Sequence, residues 1–158
     1  KQEIGMPQAL AAMGYAALSA AMALARFSTD ALRQRFSERR LLCAGGCLAA
    51  TSMAVVLASR SAPLAFIGFA LVGAGLAVVA PILFSAAARV PGVSRAAAIA
   101  SATSIGYAGF MIGPPLIGGL AHATSLSVAL TVVVLGAALL AYGSRFVPPY
   151  APATRTNP

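Results

Sequence analysis

RFSTDALRQRFSERR, residues Arg26 to Arg40, decides how the rest of the chain is read. It holds five of the eleven basic residues and two of the three acidic ones, and apolar runs lie on both sides of it. Runs of Ala, Leu, Val, Gly and Met long enough to cross a bilayer, joined by a short Arg-rich connection, are expected to be two membrane helices linked by a cytoplasmic loop. Composition outside the stretch agrees. Hydrophobic residues make up 59% of the 158 and charged residues 9%, with a mean hydropathy of +0.87. A soluble domain carries about a quarter charged residues, so the expected fold class is an all-α, polytopic membrane helix bundle.

The formal net charge of +8 raises the question of nucleic acid. The arginines, however, stand at the ends of apolar runs, with no basic face and few aromatics among them, so no nucleic-acid partner is expected. The lipid bilayer, and its anionic inner leaflet in particular, is the expected counterpart. Cys43 and Cys47, four apart in an apolar run, read as small packing groups. Without His or carboxylates beside them they make no metal site, and neither a metal nor a cofactor is expected.

Five spans follow from the charge-free runs, at about 7–27, 41–59, 64–88, 96–121 and 126–146. Arg60 and Pro63 bound the second, and the Pro91-Gly92 turn ends the third because Pro-Gly cannot continue a helix. The spans form one bundle over 1–147, and 148–158, with its prolines and polar residues, is expected to be a disordered cytoplasmic tail. An odd number of spans puts the two ends of the chain on opposite sides. Nine Lys and Arg then fall on the side of the Arg26–Arg40 stretch and two, Lys1 and Arg60, on the other. This bias places the tail in the cytoplasm. The expected location is a bacterial inner (plasma) membrane. A chain starting at Lys1, with a full span where a signal peptide would have a short apolar region, also reads as a fragment.

Ala25, Asp30, Arg35, Phe36, Ser37, Glu38, Arg39 and Arg40 follow a pattern of a small residue, an Asp about a turn on, and an Arg-rich turn. Here the chain resembles the major facilitator superfamily, which carries such a motif at the cytoplasmic ends of its second and eighth helices. Two departures are visible: Ala25 and Ser37 replace glycines, and about three extra residues separate Asp30 from Arg35. The resemblance implies helices eight to twelve of a twelve-helix carrier, the C-terminal half lacking its first helix. Asp30, Arg35, Glu38, Arg39 and Arg40 would then form a conformational switch. The chemistry is independent of the family, since an acid near the hydrocarbon is costly unless an Arg pairs with it. The fourth span carries Gly109, Gly113, Pro114 and Pro115, a small-xxx-small pair followed by a proline pair, which reads as a packing groove and helix kink. The glycines of the third span also read as close-packing sites.

Polar side chains within spans mark the faces that avoid lipid. Ser101, Thr103, Ser104 and Tyr107 share about half the circumference of the fourth span, and Tyr15, Ser19 and Met22 share a narrower face of the first. These seven are the candidate cavity-lining residues. The resemblance agrees, since it implies that the eighth, tenth and eleventh helices line the cavity. No Asp, Glu, Lys or His lies at mid-span, and Arg26 reads as the end of the first span. Such a wall suits a small neutral, sugar-like or amphipathic solute.

The expected function is therefore part of a secondary active transporter moving a small-molecule solute by alternating access. Its partners would be that solute and the missing N-terminal helices of the same transporter. The alternative is a small five-helix assembly or scaffold protein without transport activity. One His and three carboxylates are too few for a membrane-embedded catalytic centre, so no enzyme is expected.

Overall fold

The computed structural model describes residues 8–59 and 61–147, in which all regular structure is helical. The helices are α1 (Gln8–Arg35), α2 (Glu38–Ser59), α3 (Ala62–Leu76), α4 (Val79–Ala87), α5 (Arg95–Ala123) and α6 (Leu126–Gly143), which ends in a 3₁₀ turn, Ser144–Phe146. The tail expected to be disordered lies outside the described residues, as does Arg60. Among the described residues, four stretches are long and apolar enough to cross a membrane: Glu38–Ser59, Pro63–Ala87, Arg95–Ala123 and Leu126–Phe146. A fifth apolar segment, Tyr15–Phe27 in α1, is shorter.

The Arg-rich stretch differs from the expected loop. α1 continues through it to Arg35, and only Phe36 and Ser37 separate α1 from α2. Ala31, Leu32, Arg33, Gln34 and Arg35 all favour helix, and nothing before Phe36 interrupts the backbone ladder. Ser37 then starts α2 as its cap, its hydroxyl accepting the Arg40 N–H at 3.4 Å.

The third run, read as one helix, is two. Pro81 has no N–H for the Ala77 carbonyl four residues earlier and its ring crowds that carbonyl, so the helix breaks there. The Ala77 N–H turns back to Ala74 O at 3.3 Å, a tighter step than an α-helix uses. Pro114 and Pro115, by contrast, lie inside α5, which continues past them to Ala123. Between α4 and α5, Gly92 takes a φ of 78°, the left-handed conformation that the Pro-Gly turn needs. Ser94 then caps α5, accepting the Ala97 N–H at 3.3 Å. Ser94→Ala should cost about 1 kcal/mol, read as lost unfolding free energy in detergent.

The bundle is assembled on α2, which packs along α3 and α6, while α1 lies along α3 and α5 touches α4 and α6. One buried cluster joins Leu41 and Leu42 of α2 to Val78 and Ile82; a second joins Ala49 and Met53 to Val72 and Ala137. Successive helices reverse direction, except that α4 continues α3. The start of α2, the ends of α1, α4 and α6, and the start of α5 therefore share one end of the bundle. α5 contributes no buried residue.

Candidate functional site: an ionic tie at the basic end of the bundle

Helix reversal gathers Arg33, Arg35, Arg39, Arg40, Arg89, Arg95 and Arg145 at one end. Within this excess of cations, Glu38 is the buried acid among the described residues, with its side chain only 6% exposed. As the first residue of α2 it sits at the positive end of the helix dipole. Its Oε1 accepts from Nη2 of Arg33 on α1 at 2.6 Å, and more loosely from Nη1 of Arg89 at 3.4 Å. Its Oε2 accepts from Nη2 of Arg89, which lies just past α4. Arg33 Nη2 also donates to Ser85 Oγ of α4 at 2.9 Å. One carboxylate is thus shared by two cations from different segments, and α1, α2 and α4 are tied at one point. The guanidinium groups are half-buried, at 25% and 32% exposed.

The residues expected to form the switch divide. Glu38 is in the tie. Arg35, Arg39 and Arg40 are exposed at the same end. Asp30 is helical in α1, and its side chain lies outside the described residues. Arg33, Ser85 and Arg89 were not expected. The signal for Arg33 was its place five residues before Glu38, across a two-residue turn. For Arg89 it was the topology, since the end of the third span and the start of the second lie on the same side.

Among the candidate cavity residues, Tyr15 and Tyr107 are 75% and 67% exposed, and Ser19 and Met22 are half-buried on α1. The hydroxyls of Ser101 and Thr103 bond back to the carbonyls of Ala97 and Ile99 at 2.9 and 2.8 Å, which satisfies them within α5. α1 packs on α3, whereas α5 packs on α4 and α6. A methyl group at Gly109 or Gly113 would meet nothing within 4 Å, so no neighbour among the described residues fills the groove they offer.

A reversing helical bundle with apolar spans and one basic end defines a polytopic integral membrane protein. The family model described as Major Facilitator Superfamily matches residues 1–158, and the chain belongs to that superfamily. It is 38% identical over 143 residues to an uncharacterised MFS-type transporter of Yersinia pestis, covering 90% of this chain and 37% of that protein. It is 35% identical over 134 residues to the membrane protein MosC of Rhizobium meliloti, covering 85% and 33%. An uncharacterised transporter of Sinorhizobium fredii is 35% identical over 138 residues, covering 87% and 37%. The chain therefore spans about a third of the length of the curated relatives it matches. No solved structure matches it.

Proposed function

We propose that the chain is the C-terminal part of a secondary active transporter that moves a small solute across a bacterial inner membrane by alternating access. Its helices would be the eighth to twelfth, with the remaining helices of the same protein completing the cavity. The basic end would face the cytoplasm, as the excess of arginine there favours. The observation that carries this reading is the shared carboxylate of Glu38. A carboxylate held by cations from two segments can keep one and release the other, so a small movement of α1 against α4 has two discrete arrangements to choose between. Glu38 is then the centre of a cytoplasmic latch, with Arg33 and Arg89 as its two catches. Ser101, Thr103, Ser104 and Tyr107 of α5, with Tyr15, Ser19 and Met22 of α1, would line the cavity that the latch closes. Gly109, Gly113, Pro114 and Pro115 would let α5 meet a helix from the rest of the protein and bend against it.

The test is side-selective labelling of the protein expressed from its complete gene. Cys43 and Cys47 are exposed and are first replaced by Ala. Ser104→Cys is then probed with a membrane-impermeant maleimide from each side of the membrane. The expected result is reaction from both sides, with Glu38→Gln raising the rate from the cytoplasmic side several-fold. Absence of reaction from either side in both proteins would leave no alternating cavity at α5, and the assembly reading would replace transport.

A further inference from the structure

Arg26 does not stand at the end of a helix, as the sequence suggested. α1 runs on to Arg35, so Arg26 lies about 13 Å along the axis from that end and about 10 Å short of Arg33. The apolar segment of α1, Tyr15–Phe27, stops before that end, so Arg26 is an exposed cation in its last turn, close to Met22, Leu24 and Phe27. At 100° per residue, Tyr15, Ser19, Met22 and Arg26 fall within about 60° of one another. This flank lies beside the face where Leu18 meets Gly73 of α3. Arg26 also lines a shallow groove between α1 and α4 with Thr29, Ala80 and Pro81.

The guanidinium there is poorly satisfied. Among the described residues its polar contact is the Met22 thioether, with Nη2 to Sδ 3.8 Å, a weak and uncharged acceptor. Thr29 has already given its hydroxyl proton to the Ala25 carbonyl at 3.1 Å. Glu38 is occupied by Arg33 and Arg89. A cation within a span is costly unless it meets an anion, and such cations mark solute pathways.

We propose that Arg26 is the anion-binding residue of the solute site, and that the solute carries a carboxylate or phosphate group. This rests on the transporter reading, and it revises the neutral solute that the hydroxyl and Tyr wall suggested. A guanidinium presents a fork of N–H donors that matches both groups. A lipid phosphate offers the same chemistry, and the vesicle composition in the experiment distinguishes the two sources.

The experiment uses the protein expressed from its complete gene, reconstituted in phosphatidylcholine. Phenylglyoxal modification of the Arg26 peptide is followed by mass spectrometry in potassium phosphate, succinate, lactate or chloride at equal ionic strength. At least one of the first three should protect Arg26 over chloride and leave Arg39 and Arg40 unprotected. The same anion should raise the unfolding temperature. Its half-saturating concentration for that shift should rise about ten- to a hundredfold in Arg26→Gln and less in Arg26→Lys, the range expected for a lost charge-assisted hydrogen bond. Arg26→Lys also keeps the test open if Arg26→Gln does not fold. Several results would overturn the proposal: no protection by any of the three anions, equal protection of Arg39 and Arg40, or protection only after phosphatidylglycerol is added. So would an Arg26 shielded without added anion and released by Asp30→Asn, because its counter-ion would then be internal. Each of these leaves the labelling at position 104 unaffected, so failure here is separable from failure of the transporter reading.

Discussion

Glu38→Ala should destabilise the protein by about 2–3 kcal/mol, read from unfolding in detergent. Removing one member of a buried ion pair costs about 3–5 kcal/mol, because the partner stays behind without its counter-ion. Here the groups that lose the carboxylate are two guanidiniums, each a quarter to a third exposed, and water returning to them reduces the cost. Arg33 keeps its bond to Ser85 but loses its bond to Glu38, as Arg89 loses both of its bonds to Glu38. Glu38→Gln should cost less, since its amide oxygen still accepts one hydrogen bond. Arg39→Ala and Arg40→Ala, at exposed positions of the same helical turn, should change stability by less than about 0.5 kcal/mol. A double-mutant cycle between Glu38→Ala and Arg89→Ala should give a coupling of about 1 kcal/mol or more. If Glu38→Ala were as mild as Arg39→Ala, the three segments would be held by helix packing alone and the latch would have no energetic basis.

This cluster marks where reading the sequence stops. The membrane bundle was legible because hydropathy and chain length act locally, and Pro91-Gly92 announces its turn within a few residues. The need for an Arg beside an acid at the basic end was also legible. Which acid and which Arg were not. Arg33 lies five residues from Glu38, but Arg89 lies fifty-one away, and its meeting with Glu38 depends on how the end of α4 comes to the start of α2. The extent of α1 was misread for a different reason. A run of charge signals the edge of the hydrocarbon, yet Arg, Gln and Leu are good helix formers, so the helix outlasts the apolar segment. The break before Pro81 follows from the proline itself. Pro114 and Pro115 show that the same residue type does not always end a helix, because neighbouring backbone groups can adjust.

Gly45→Val should cost about 3 kcal/mol or more. Within a membrane, helices gain little from excluding water, and their association depends on how closely the backbones approach. At Gly45 an added Cβ would collide with the carbonyl oxygen of Gly75 and come within 3.3 Å of Val78 Cγ2. At Gly75 a Cβ would lie 2.6 Å from Gly45 O and 3.2 Å from Ala49 N, so α2 and α3 meet backbone to backbone. Gly46, about 100° further around α2, does the same for α6, where a Cβ would come within 2.8 Å of Ala137 O and Ala141 N. Adjacent glycines thus let one helix touch two neighbours at the same depth. A β-branched side chain at position 45 cannot be accommodated by a rotamer change, since the backbone carbonyl of Gly75 faces its Cβ. The helices must separate, loosening Leu41, Leu42, Val78 and Ile82 on one side of the crossing and Ala49, Met53 and Val72 on the other. Gly136→Val is the control for substitution within a span, because a Cβ at Gly136 meets nothing within 4 Å. It should be neutral to slightly stabilising, since Gly is the poorest of the ordinary helix formers after Pro. Unfolding of the two variants in the same detergent should therefore differ by at least about 3 kcal/mol. Equal stabilities would mean that α2 and α3 do not depend on backbone contact at Gly45.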